Sequence, residues 1–159
     1  MKTGVYAGSF DPITFGHLEI LNRAEKLFDE VIVLVAENKR KKELFSLKER
    51  KEMIEKVFEK KEKVKVEVLD GLLADYMKEK KYAFLIRGLR AISDFDYELQ
   101  HFTINKQINK EIETVFFMTE PEYFYLNSSL VKEIAALGGN LKKLVPEAVE
   151  KKLKEKLGK

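Results

Sequence analysis

Residues 8 to 17 read Gly-Ser-Phe-Asp-Pro-Ile-Thr-Phe-Gly-His, a set of types and spacings suited to holding phosphate. Gly8 and Gly16 let backbone approach a ligand with no Cβ in the way. Ser9 and Thr14 bring hydroxyls, Asp11-Pro12 turns the chain, and His17 falls in the first turn of a helical pattern. Helix N-termini carry unpaired N–H groups and a partial positive charge, so anions gather there. A strand, a glycine-bearing loop and a histidine at a helix start together point to a nucleotide-phosphate site. A lone histidine near a helix start more often packs or faces solvent; here the complete ten-residue pattern argues for the site.

Two further stretches carry cations. Arg87-Gly88-Leu89-Arg90 puts two guanidinium groups at a predicted strand end, and arginine forks match phosphate oxygens. Equally, these arginines can pair with Asp94, Asp96 or Glu98 downstream. Lys39-Arg40-Lys41-Lys42 follows another predicted strand; such runs are mostly solvated, but this position makes one of its lysines a candidate. Tyr123-Phe124-Tyr125-Leu126-Asn127-Ser128-Ser129 leads into a helix. Its last three residues are cap types, and one suffices for capping; three together can also hold a triphosphate. Tyr123 to Leu126 packs, or forms a wall that suits an adenine.

The elements that must position these residues follow from hydrophobic pattern. Candidate strands are Gly4–Ala7, Val31–Ala36, Val64–Leu69, Ala83–Ile86 and Thr114–Met118. The second has no polar residue, as expected of a parallel strand covered on both faces. Leu18, Leu21, Ala24, Leu27 and Phe28 form one helical stripe. Ser46 with Glu49 reads as a capping box opening a helix to about Lys61. Ser93 precedes another, from about Asp94 to Lys110; one more follows Ser128 and stops at Gly138-Gly139; Pro146 starts the last. Alternation of this kind predicts an α/β fold, a Rossmann-like doubly wound five-stranded parallel sheet with flanking helices and a C-terminal helical segment. In the order 3-2-1-4-5, the crevice outside strands 1 and 4 is where ligands bind, and both the Gly8–His17 and Arg87–Arg90 segments border it.

A chain of 159 residues is expected to form a single domain, residues 1–159. No stretch reaches the ~20 apolar residues of a membrane span. The N-terminal residues lead straight into a strand with no leader pattern, so the expectation is a cytoplasmic protein with no membrane partner. The absence of cysteine rules out a thiol nucleophile and a cysteine-held metal, and a net charge of +3 gives no argument for a nucleic-acid partner. There is no Gly-x-x-x-x-Gly-Lys-Ser/Thr loop, no Gly-x-Ser-x-Gly elbow and no histidine–carboxylate set for a protein-held metal. A cationic, hydroxyl-lined site without a covalent nucleophile suits transfer between phosphates, where the protein aligns an anionic attacker and neutralises developing charge.

Thr14-Phe15-Gly16-His17 resembles the (H/T)-x-G-H signature of nucleotidyltransferases. With Lys41-Lys42, Phe45–Arg50, Ile86–Ala91, Asp94–Gln100 and Ser128–Glu133, the chain is similar, end to end, to the bacterial phosphopantetheine adenylyltransferase family. The resemblance implies transfer of AMP from ATP to 4′-phosphopantetheine, giving dephospho-coenzyme A and pyrophosphate. It implies Mg²⁺ held mainly through the ATP phosphates. His17 would stabilise the transition state, with Lys41 and Arg90 as further catalytic groups. Ser9, Lys41, Leu73 and Arg87 would hold the acceptor. Ser9, Phe10, His17, Gly88, Leu89, Arg90, Glu98 and Tyr123, Phe124, Tyr125, Leu126, Asn127, Ser128 and Ser129 would hold ATP. Leu72 and Leu73 would line a slot for the pantetheine arm. A homo-oligomer, a hexamer, and feedback inhibition by coenzyme A are implied as well. The chain departs from the family's usual residues with Ala7 for proline, Ser9 for threonine, Asn127 for serine and His101 for an apolar residue. Competing readings are a related enzyme acting on nicotinamide mononucleotide or glycerol phosphate, and a nucleotide-binding module without turnover.

Overall fold

Val31 to Val35 carry no polar side chain, and each is fully buried. A strand of this composition needs cover on both faces, and the computed structural model, which describes residues 1–38 and 42–158, provides it. The elements run β1 (Thr3–Gly8), α1 (Phe15–Ala24), β2 (Glu30–Val35), α2 (Leu47–Phe58), β3 (Val64–Val68), α3 (Leu73–Lys80), β4 (Phe84–Leu89), α4 (Ile92–Ile108) and β5 (Glu113–Met118). A short 3₁₀ turn (Pro121–Tyr123), α5 (Ser128–Ala136) and α6 (Glu147–Leu157) complete the chain. The sheet order is β3-β2-β1-β4-β5, with every pairing parallel. This is the order expected from sequence.

Successive strand residues point to opposite faces, and the apolar residues divide accordingly. Tyr6, Val31, Val33, Val35 and Ile86 join Ile20 and Leu21 of α1, Met53 and Ile54 of α2, Val131 of α5 and Leu153 of α6 in one cluster. Val5, Ala7, Ile32, Leu34 and Leu85 join Ala74 and Met77 of α3 in the other. Each buried Val, Leu, Ile or Met among them is worth about 1.5–3 kcal/mol relative to exposure. The edge strand β3, with its alternating Val-Lys-Val-Glu-Val, is the more open partner.

Three local expectations need correction. Arg87, Gly88 and Leu89 do not form a loop: β4 continues through them, paired with Phe116, Phe117 and Met118 of β5. Helix α4 starts earlier than Asp94, with Ala91 as its N-cap residue. Leu72 and Leu73 open an unanticipated helix, α3, in which Leu73 packs against the second apolar cluster. Among the described residues no helix is long and apolar enough to cross a membrane.

Candidate active site

The crevice at the carboxyl ends of β1 and β4 is a cleft of about 560 Å³. Its floor is the loop after β1. Ser9 leads to Phe10, a non-glycine residue held at φ 47°. Phe10 is buried, and its ring lies edge-on to Tyr6 at 5.3 Å and to His17 at 5.2 Å between centroids. The next residue, Asp11, is also buried. Its carboxylate accepts from the backbone N–H of Leu44 and of Phe45, both at 2.9 Å, and from Lys132 Nζ at 2.6 Å. One acidic side chain thereby joins the β1 loop to the segment before α2 and to α5.

Thr14 is the N-cap residue of α1, and His17 takes the third helical position, where a capping box normally has Glu or Gln. The Thr14 backbone N–H donates to His17 Nδ1 at 3.0 Å, and Thr14 Oγ1 lies 3.0 Å from the same nitrogen. A nitrogen that accepts carries no proton, so neutral His17 bears its proton on Nε2. Burial, and after it the positive charge of Arg90, lowers its pKa from 6.5 to about 4. Near neutral pH, His17 is therefore an uncharged N–H donor lining the cleft.

The far wall comes from β4 and from Arg90, just beyond its end. Arg87 makes a bidentate pair with Glu98, Nε to Oε2 at 2.7 Å and Nη2 to Oε1 at 2.5 Å, while Nη1 donates to Ala7 C=O at 2.6 Å. Burial opposes the Arg87 charge, but the Glu98 hydrogen bond and carboxylate hold its pKa above the usual value. Of the five N–H donors of an arginine, these bonds use one on each nitrogen, which leaves one on Nη1 and one on Nη2. Arg90 donates from its backbone N–H and Nε to Asp94 Oδ2, at 3.0 and 3.2 Å. Both arginines thus pair with downstream carboxylates and line the cleft at once. Deep between them, burial raises the pKa of the Tyr6 phenol well above its ordinary value. Gly88 is required by close approach: a Cβ there would lie 2.2 Å from Ile20 Cδ1.

The third wall is the start of α5. Asn127 Oδ1 accepts from Leu130 N–H at 2.9 Å and so caps the helix, while Ser128 Oγ donates to Pro12 C=O at 2.8 Å. Asn127, Ser128, Ser129 and Lys132 all line the cleft. Leu130 N–H, the Ser128 hydroxyl and Lys132 have protein partners there; the other N–H groups of the helix start and the Ser129 hydroxyl are of the kind that can meet an anion.

The cleft therefore brings together Ser9, Phe10, His17, Arg87, Gly88, Arg90, Asn127, Ser128 and Ser129 of the residues singled out from sequence. Leu73, Leu89, Glu98 and Tyr123 to Leu126 do not line it. Glu98 has both carboxylate oxygens on Arg87. Leu126 belongs to the core, Tyr123 packs against it, and Phe124 and Tyr125 are about half exposed. Lys41 lies outside the described residues. Sequence reasoning gave no role to Asp11 beyond its turn, nor any to Lys132, Tyr97 or Thr119, which line the cleft too. Tyr97 could have been found from its place one residue before Glu98; the links of Asp11 and Lys132 had no local signal.

Among the described residues no group of three or more histidines and carboxylates could hold a metal ion. Asp11, an acidic residue of the cleft floor, has its oxygens committed to Leu44, Phe45 and Lys132. Glu43, also on the cleft, has its oxygens on Asn38 N–H and Arg50, so the lining suits a metal ion that arrives on phosphate oxygens.

Residues 5–134 match the family model described as cytidylyltransferase-like. The chain is 52% identical over 159 residues to a phosphopantetheine adenylyltransferase of Clostridium novyi (strain NT), covering 100% of this chain and 99% of the relative. It is 52% identical to a protein of the same name from Thermodesulfovibrio yellowstonii, covering 99% of each. One from Dictyoglomus thermophilum is 49% identical over 99% of this chain and 96% of its own length.

Proposed function

This chain belongs to the phosphopantetheine adenylyltransferases of the cytidylyltransferase-like family, and we propose that its cleft transfers AMP from ATP to 4′-phosphopantetheine. The products are dephospho-coenzyme A and pyrophosphate. An oxygen of the acceptor phosphate attacks the α-phosphorus, a new P–O bond forms, and the bond to the β-phosphate oxygen breaks as pyrophosphate leaves. The attacker is already an anion, so no general base is needed and the protein's work is alignment and charge stabilisation.

The observation that carries this reading is His17. It is a neutral Nε2–H donor at a helix N-terminus, in a cleft whose other walls supply Arg87, Arg90 and Lys132. In this assignment His17 donates to the charge that develops at the α-phosphate. Arg90, the α5 N-terminus and Ser129 hold the β- and γ-phosphates. Phe10 and Gly88 border the nucleoside; the resemblance adds Leu89 and Tyr123 to Leu126, which do not line the cleft. Arg87 offers its two remaining N–H groups to the acceptor phosphate, with Ser9 on the same cleft; the resemblance adds Lys41, which lies outside the described residues, and Leu73, which does not line the cleft. Glu98 serves the site through Arg87. A divalent metal is general in nucleotidyltransferases; Mg²⁺ carried on ATP supplies charge neutralisation at the phosphates.

Residues 1–159 form one domain in this reading, working in the cytoplasm as a homohexamer. The apolar side chains that α4 leaves in solvent, among them Ile92 and Ile104, support self-association. Coenzyme A shares the acceptor's arm and competes for the cleft. The test is product formation from ATP, Mg²⁺ and 4′-phosphopantetheine, read by mass spectrometry and pyrophosphate release. Dephospho-coenzyme A is expected, with poor turnover when nicotinamide mononucleotide replaces the acceptor or CTP replaces ATP. Efficient use of either substitute, with no reaction of phosphopantetheine, overturns the assignment.

A further inference from the structure

The largest fully buried side chain is a charged one, Arg50 of α2. A buried guanidinium is costly unless its donors are met, and four of the five are. Nη1 donates to Ser9 C=O at 2.7 Å and to Ala36 C=O at 3.0 Å. Nη2 donates to Glu43 Oε2 at 2.6 Å, and Nε reaches Ser46 C=O at 3.4 Å. Glu43 extends the link, because its Oε1 accepts from Asn38 N–H at 2.8 Å. One side chain thus ties the loop after β1, the end of β2, and both flanks of the segment between Asn38 and Glu43. Ser9, Asn38 and Glu43 line the cleft, whereas Arg50 does not.

The neighbours of Arg50 on the buried face of α2 are Met53, Ile54 and Phe58. An apolar residue there would leave Glu43 and the carbonyls of Ser9 and Ala36 without their donor, so Arg50 contributes stability as well as position. We propose that Arg50 is a positioning residue for the transfer. Through Ser9 and through Glu43 it sets the separation of the two cleft sides between which the acceptor phosphate is brought to the nucleotide. The inference rests on the function proposed above. Its physical basis is that reacting atoms must meet at near-contact distance, and a misplacement of ~1 Å can cost ~10²-fold in rate.

Two variants test it. Arg50→Lys keeps the charge but replaces a planar fork, which reaches Ser46, Ser9 and Ala36, and Glu43 from three separate nitrogens, by a single point donor on a flexible stem. Glu43→Gln keeps an acceptor for Asn38 N–H and removes the ionic half. Steady-state kinetics for both substrates are measured beside circular dichroism, thermal melting and calorimetric ATP binding. Each variant is expected to lose on the order of tenfold or more in kcat, with ATP affinity little changed. The double variant is expected to fall no further than the worse single one, since both break the same link. A folded Arg50→Lys with a lowered melting temperature and unaltered kcat per folded molecule shows a purely structural residue and overturns the proposal. If Arg50→Lys does not fold, Glu43→Gln decides: unaltered kcat and KM overturn it. A wild-type protein that forms no product overturns the functional reading and this inference with it; wild-type turnover with unaffected variants overturns the inference alone.

Discussion

Replacing His17 with Gln separates two jobs of one side chain. Gln is an ordinary capping-box residue at the third helical position, and its Oε1 can take the Thr14 N–H that His17 Nδ1 now accepts at 3.0 Å. Stability at neutral pH should therefore change by less than about 1 kcal/mol. Acid behaviour should change much more. Burial, and then Arg90, brings the His17 pKa from 6.5 down to about 4. Between those values the unfolded chain binds a proton that the folded chain refuses, so stability rises with pH through that window and is lost on acidification. At about 1.4 kcal/mol per pH unit, His17 accounts for about 3 kcal/mol lost between neutral pH and pH 4. Urea unfolding of the wild type and of His17→Gln across this range should give curves that diverge by that amount. Every other titrating group is common to both, so the difference isolates His17. Parallel curves would refute a neutral, buried imidazole. At neutral pH the same variant should lose on the order of 10²- to 10³-fold in kcat, as loss of a preorganised donor does; near-wild-type turnover would remove His17 from catalysis.

Glu98→Gln withdraws the counterion of Arg87, and the KM for phosphopantetheine should rise by about tenfold or more while the KM for ATP holds; equal effects on both substrates would place Glu98 at the nucleotide instead. Asp11→Ala leaves Lys132 and two backbone N–H groups without their buried acceptor, and chemical denaturation should show a loss of about 3–5 kcal/mol. Gly88→Ala drives a methyl toward Ile20 Cδ1 and should cost about 1–3 kcal/mol. Adding Ile20→Val removes that atom, so thermal unfolding should find the double variant more stable than the two separate costs imply.

The sheet was legible because its signal is local. Val31 to Val35 announce a doubly covered strand, and the Ser46/Glu49 box marks the start of α2. Helix α3 left little trace: it has eight residues, Leu72 as a cap without a side-chain bond, and only Ala74 and Met77 buried. The strand pattern fades after Ile86, where a charged residue and a glycine, the latter a poor strand former, follow the apolar run, yet pairing with β5 carries β4 through residues 87–89. Helix α4 buries only Glu98 along its length, so no apolar stripe marks its start. The phosphate-facing residues of the cleft could be named from residue type, whereas the framework behind them could not. Asp11 reads as a turn former until Leu44, Phe45 and Lys132 are beside it. Arg50 shows in the sequence only as part of the Phe45–Arg50 segment, and its burial appears once Ser9 and Ala36 close over it.

The ion pair between Asp11 and Lys132 joins residues 121 apart in the chain, and the bond from Ser128 to Pro12 spans 116. Closing contacts this distant in sequence costs the entropy of the intervening chain. During synthesis the first strand and its glycine loop leave the ribosome long before α5 exists. Until then Asp11 has no lysine, and the nascent phosphate loop has no third wall. A growing chain therefore offers nucleotide only part of the cleft, which is complete once residues 128 to 132 have been made.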